Sequence, residues 1–173
     1  MNKRGTEHSC LFEIIKQTNE RDLVIHHIIH ASGSGGTQSG LICGLKAMKS
    51  EIPLLGISVS ALKSDQEEKV FNLACNTSEY LGLSGIIKRE HIVANSDYVG
   101  KGYGMPTKEM NDALIMLARL EGMLFDPVYT GKALAGMISL ISDNYFNNDE
   151  NILFIHTGGT AGLFAYQDQL NIG

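Results

Sequence analysis

The run His30-Ala31-Ser32-Gly33-Ser34-Gly35-Gly36-Thr37-Gln38-Ser39-Gly40 carries the first readable chemistry of the sequence. A Gly/Ser/Thr loop between a strand and a helix can cradle a phosphate. Its glycines let several backbone N–H groups aim at one anion, and a helix N-terminus adds partial positive charge. A second Gly/Thr run, His156-Thr157-Gly158-Gly159-Thr160-Ala161-Gly162, follows another apolar segment. Two further loops hold tyrosines beside glycines: Tyr98 and Tyr103 within Asp97–Pro106, and Tyr129 within Asp126–Lys132. Aromatics on permissive backbone commonly line ligand pockets. Taken alone, Tyr103 and Tyr129 can equally be aromatics packed on a sheet edge. Neither glycine run is a P-loop, because no lysine follows the glycines. The dinucleotide pattern fails at its third glycine. A small phosphorylated cofactor suits the first loop better than a nucleotide. His26 and His30 share strand parity, but no third ligand accompanies them, so hydrogen-bonded strand histidines are expected and no metal site.

The elements that must position these loops alternate along the chain. Helical spacing marks residues 9–18, after a polar extension at 1–8. The run Leu23–Ile29 predicts a buried strand, and Thr37–Ser50 a helix. Ile52–Val59 predicts a second strand. Ser64 and Glu67 have the spacing of a capping box opening the next helix, which ends near Gly82. His91–Ala94 is a short strand candidate. Thr107 caps a helix to Glu121, with Met110, Ala113, Leu114, Leu117 and Leu120 facing inward and Gly122 ending it. Residues 123–132 predict a brief strand and turn, Ala133–Ile141 a helix, and Asn151–Ile155 a last buried strand. This order predicts one α/β domain over 9–173, an open, mostly parallel sheet with helices on both faces. Ligands of such sheets bind at the carboxyl ends of the strands.

The 173 residues are 43% apolar and 19% charged, with net charge −5. That argues against nucleic acid or an anionic membrane as partner. No apolar stretch is long enough to span a bilayer, and no secretory signal is visible. Cys10, Cys43 and Cys75 are widely spaced and odd in number, read as reduced thiols of a cytoplasmic protein without paired zinc-ligand spacing.

Ser32–Leu41, Asp126-Pro127-Val128-Tyr129-Thr130-Gly131-Lys132 and His156-Thr157-Gly158-Gly159 occur in this order. Together they resemble the carboxyl half of the D-cysteine desulfhydrase / 1-aminocyclopropane-1-carboxylate deaminase family, pyridoxal-phosphate enzymes of the tryptophan synthase β-like fold. The resemblance runs from about residue 9 to residue 170. It implies that Ser34, Gly35, Gly36 and Thr37 bind the cofactor phosphate. It implies a substrate-side role for Tyr103, and a place for Tyr129 near the cofactor ring and the substrate Cα. It places Thr130 and Thr157 near the pyridine nitrogen. Read without it, Thr130 starts a helix, Thr157 satisfies a loop carbonyl and Lys132 is structural. The deaminase branch resembles Glu and Leu at the two threonine positions, so threonines at both favour the desulfhydrase branch. A hydroxyl leaves the ring neutral more readily than a carboxylate does. The implied reaction is α,β-elimination of D-cysteine to pyruvate, ammonia and sulfide, with cyclopropane-acid deamination as the alternative.

The family's Schiff-base lysine lies in its amino-terminal half, near an Asn-Lys motif that this sequence lacks. Lys46, Lys49, Lys63, Lys69 and Lys108 read as solvated. The expectations are therefore a fragment, a split-gene subunit completed by a chain supplying the amino-terminal half, or an inactive phosphate-binding remnant. The resemblance also implies a homodimer acting on a small amino acid.

Overall fold

The computed structural model describes residues 6–170. Of the polar extension expected at 1–8, residues 1–5 lie outside the described residues and 6–8 open the first helix. The elements are α1 (Thr6–Glu20), β1 (His27–Ser32), α2 (Gly36–Ala47), β2 (Leu54–Ser58), α3 (Lys63–Tyr80), β3 (Val93–Asn95), α4 (Lys108–Glu121), α5 (Thr130–Ser142) and β4 (Ile152–Ile155). The four strands form one parallel sheet in the order β3-β2-β1-β4.

Strand alternation sends neighbouring residues to opposite faces. Ile28 packs with Leu11, Leu41, Leu45 and Val70 from α1, α2 and α3. Ile29 and Ala31 pack with Ala133, Leu140 and Phe146 on the α5 side. A third cluster joins α4 to α5 through Met110, Leu114 and Leu134. Helices thus cover both faces. No helix among the described residues is long and apolar enough to cross a membrane.

Several boundaries differ from the sequence reading. The strand expected over Leu23–Ile29 begins at His27 and continues to Ser32, because its ladder partners, Ile152 and Leu54, start only there. Leu23 and Val24 are exposed. The helix expected from 9 to 18 is longer at both ends. Ser64 forms no capping box: α3 starts at Lys63 with Leu62 as its cap, so Ser64 is already helical. Glu67 instead accepts from the Ala94 N–H at 3.0 Å, at the sheet edge. Residues 123–132 make no strand; Met123 and Leu124 lie exposed without a ladder partner. Leu120 is also exposed, although the other apolar residues of its face are covered or half-covered. β4 is half-buried rather than buried, because it is an edge strand.

Thr107 caps α4 as expected, accepting from the Met110 N–H at 3.2 Å, and Gly122 ends it in the left-handed conformation. The three histidines expected in the strand each hold a hydrogen bond, although His26 lies just before β1: His26 Nδ1 accepts from the Asn151 N–H at 2.9 Å, His27 Nε2 meets the Glu150 carboxylate at 3.3 Å, and His30 Nδ1 donates to the Ala31 carbonyl at 2.8 Å.

Candidate active site

A cleft of about 470 Å³ opens at the carboxyl ends of β1 and β4. The first glycine loop makes one wall with Gly33, Ser34, Gly35 and Thr37. Tyr129 and the second loop, Thr157 to Gly159, make the other. Both glycine loops and the Tyr129 loop therefore converge on one crevice, and the loop of Tyr103 does not line it.

The first wall is built by α2. Gly35 sits in the left-handed conformation (φ 85°) as the helix cap, which turns the chain sharply from β1 into α2. The first N–H groups of a helix have no partner within it, so this turn presents donors and the positive helix end to the cleft. Gly36 lies in the same loop but faces a second hollow, shared with Ser34, Gly40, Leu73 and Thr77. Gly33 brings backbone against the opposite wall: a Cβ there would lie 3.1 Å from Tyr129 Cε1.

A polar network beneath the loop was not visible in the sequence. Buried Ser32 donates its hydroxyl to Gln38 Oε1 at 2.7 Å and accepts from Gln66 Nε2 at 2.8 Å. Gln66 also donates to the Gly33 carbonyl at 3.1 Å, and Lys69, read as solvated, reaches the same carbonyl at 3.2 Å. Gln38 lies across Gly56 of β2, where a Cβ would come within 2.3 Å of its side-chain oxygen. The loop is held from both α2 and α3. Its sequence signal is two glutamines on helix faces, Gln38 and Gln66, whose burial only the packing reveals.

On the other wall, Tyr129 and Tyr103 place their hydroxyls in direct hydrogen-bond contact, with the rings edge to face at 5.6 Å. That bond, with burial and the charge of Tyr103 and Asp126 adding to it, pushes the Tyr129 phenol up to about 12. Tyr129 therefore stays protonated through the neutral range.

Thr130 is not brought to the cleft. It is fully buried at the start of α5. Its hydroxyl donates to Asp126 Oδ1 at 2.7 Å and accepts from the Asp126 N–H at 3.0 Å. Of the two readings, starting a helix describes its place. Thr157 does line the cleft, and it is exposed.

Asp126, which sequence reasoning passed over as a motif residue, organises this wall. Its buried carboxylate accepts from the N–H groups of Val128, Tyr129 and Thr130 at 2.7–2.8 Å as well as from Thr130 Oγ1. A carboxylate at a helix start satisfies orphan donors and complements the dipole. Gly159 (φ 97°) packs directly on it, since a Cβ there would meet Asp126 Cγ at 2.9 Å.

A family model described as pyridoxal-phosphate dependent enzyme matches residues 1–158. Among solved structures, the chain is similar to an ACC deaminase homologue at 34% identity and TM-score 0.84, over 95% of this chain and 48% of that one. It is also similar to O-ureido-L-serine synthase (16% identity, TM-score 0.58, 98% of this chain and 51% of that one). A third is a threonine deaminase from T.th. (12% identity, TM-score 0.53, 88% of this chain and 57% of that one). The last two share the fold. The chain spans about half the length of the solved structures it matches.

The cleft fits pyridoxal phosphate. The α2 turn offers the backbone donors a phosphate needs, and Gly33 keeps clear the space a Cβ would fill. On the cleft floor, buried His30 leaves Nε2 without a partner among the described residues. Because Nδ1 donates to Ala31, Nε2 is a free acceptor. Ser34, Gly35 and Thr37 would hold the phosphate, whereas Gly36, expected with them, is turned to the second hollow.

Proposed function

Because the chain belongs to the pyridoxal-phosphate dependent enzyme family, we propose that it is the phosphate-binding half of a lyase that eliminates a β-substituent from a small amino acid. D-cysteine, giving pyruvate, ammonia and sulfide, is the substrate that the sequence motifs favour. The observation that carries this reading is the second wall of the cleft. Thr157 lines it, while the carboxylate behind Gly159, Asp126, is turned onto the start of α5.

When bound, pyridoxal phosphate supplies a sink for the electrons left at the substrate Cα. A hydroxyl beside the ring nitrogen favours a neutral ring, which is a weaker sink than a protonated one. That is adequate when the group expelled is a thiolate, and less so for opening a cyclopropane. With Thr130 engaged by Asp126, Thr157 is the threonine left to supply that hydroxyl. The α2 turn binds and orients through the phosphate. With the Tyr129 hydroxyl donating to the Tyr103 oxygen, the free proton of the pair is that of Tyr103, which can be given to a departing sulfur.

No lysine lines the cleft among the described residues. We therefore assign the covalent lysine to a segment or partner chain outside them, and propose a homodimer as the working assembly. A second reading, ring-opening deamination, draws support from the 34% identical ACC deaminase homologue.

The test co-expresses this chain with a segment carrying the family's Asn-Lys motif. Pyruvate from D-cysteine and 2-oxobutanoate from the cyclopropane acid are then compared. Faster pyruvate release is expected. Faster ring opening would establish the second reading, and binding without turnover of either would leave a phosphate-binding protein. Calorimetry of pyridoxal phosphate on this chain alone should show saturable binding that Gly35→Asp removes, by placing a carboxylate on the phosphate turn.

A further inference from the structure

We propose that Lys132 is a positioning residue that fixes the Tyr103 loop, so that the Tyr103 hydroxyl meets the Tyr129 hydroxyl at the rim of the cleft. The functional importance of that contact rests on the reading of the two tyrosines as the substrate-side pair; the contact itself does not.

Lys132 is fully buried. Its ammonium donates to the Val99 carbonyl at 2.7 Å and the Gly102 carbonyl at 2.8 Å. Three features oppose a charged group there. Burial lowers its pKa below the usual lysine value. It is the third residue of α5, at the positive end of the helix. Its hydrogen bonds go to neutral carbonyls rather than a carboxylate. A methionine of similar length would avoid all three. What the ammonium uniquely supplies is a clamp on two carbonyls of one loop.

That loop needs a clamp in its middle. Its flanks are anchored elsewhere: Tyr98 packs on Gly136 of α5, and Tyr166 donates its hydroxyl to the Gly104 carbonyl at 2.9 Å. Between them, Gly100, Gly102 and Gly104 all have positive φ, and glycine backbone does not itself dictate where the next side chain points. The Gly102 carbonyl belongs to the peptide that enters Tyr103. Holding it sets the direction of the tyrosine, which is itself more than half exposed and has little packing to restrain it.

The Tyr129 phenol reports the contact, because the hydrogen bond it donates to Tyr103 is the main cause of its raised pKa. The chain, labelled with ¹³C at tyrosine Cζ, is titrated by NMR, with Tyr129→Phe assigning the signal. Wild type should titrate near 12. Tyr103→Phe and Lys132→Met should each lower this by about 1 to 2 pH units, and the double variant should fall no further. Lys132→Arg, which restores donors, should recover part of the shift. A folded Lys132→Met chain whose Tyr129 still titrates near 12 overturns the proposal. Should that variant not fold, Tyr103 is replaced by its α-hydroxy analogue. The resulting ester weakens the Gly102 carbonyl as an acceptor and leaves Lys132 in place. A smaller fall is expected, and no change overturns the proposal equally. Neither cofactor nor substrate enters these measurements, so a failed lyase assay and a failed clamp are separate results.

Discussion

The two glycine loops that face each other across the cleft have similar composition and different support. The loop after β1 leaves a strand flanked on both sides, by β2 and β4. It is tied down by Ser32, Gln38, Gln66 and Lys69. The loop after β4 leaves an edge strand. Its Thr157 is exposed, Gly158 and Gly159 both have positive φ, and it rests on the carboxylate of Asp126. Glycine content alone does not make an anion seat. A seat is preorganised where neighbouring strands and helices hold the turn, and adaptable where one buried side chain does. The first loop suits a phosphate that must sit in one place, and the second suits a wall that accommodates a ring and its substrate.

The comparison breaks most severely at Asp126. Asp126→Ala removes the acceptor for three N–H groups and one hydroxyl at the buried start of α5. It should cost about 3–4 kcal/mol in urea unfolding. In hydrogen exchange the loop after β4 should lose more protection than the loop after β1. Equal loss in both would mean the two loops share their support.

Acid should act on the first loop's strand instead. Burial holds His30 down at about 4, against an ordinary value of 6.5. The neutral form is favoured on folding, so its contribution is fully present above pH 6.5 and is lost as pH falls toward 4. The loss is of the order of 3 kcal/mol. His30→Leu should flatten the stability profile over that window, and an unchanged profile would assign the acid loss to other groups.

The smallest effects sharpen the contrast. Ser32→Ala leaves Gln38 Oε1 without its buried donor and should cost about 1–2 kcal/mol. Thr157→Val, at an exposed position, should change stability by less than about 0.5 kcal/mol. Comparable costs at the two sites would remove the distinction between a held and a free loop.

Much of the fold was legible because its signals are local. The Gly35 turn, the Thr107 cap, the Gly122 stop and most of the inward face of α4 depend on residues within one or two helical turns. Strand edges were less legible, because a strand begins where its ladder partner begins. The apolar Leu23 and Val24 therefore stayed outside β1. Ser64 misled because the capping pattern lies two residues beyond the actual cap, Leu62. In the site, Ser34, Gly35, Thr37, Tyr129 and Thr157 meet at one cleft, with Tyr103 bonded to Tyr129 at its rim. Thr130 is withdrawn from it by Asp126, an interaction four residues away that residue types did not rank above cofactor contact.

The alternation of strands and helices, the glycine turns at strand ends and the resemblance to pyridoxal-phosphate enzymes follow from residue order alone. Each of these is written in neighbouring residues. Only the tertiary structure decided that Lys132 clamps the Tyr103 loop, that Gln66 holds the first glycine turn and that Gly159 rests on Asp126. Burial deprives polar groups of water and obliges them to find partners within the protein. For these groups packing brings together residues 30 or more positions apart.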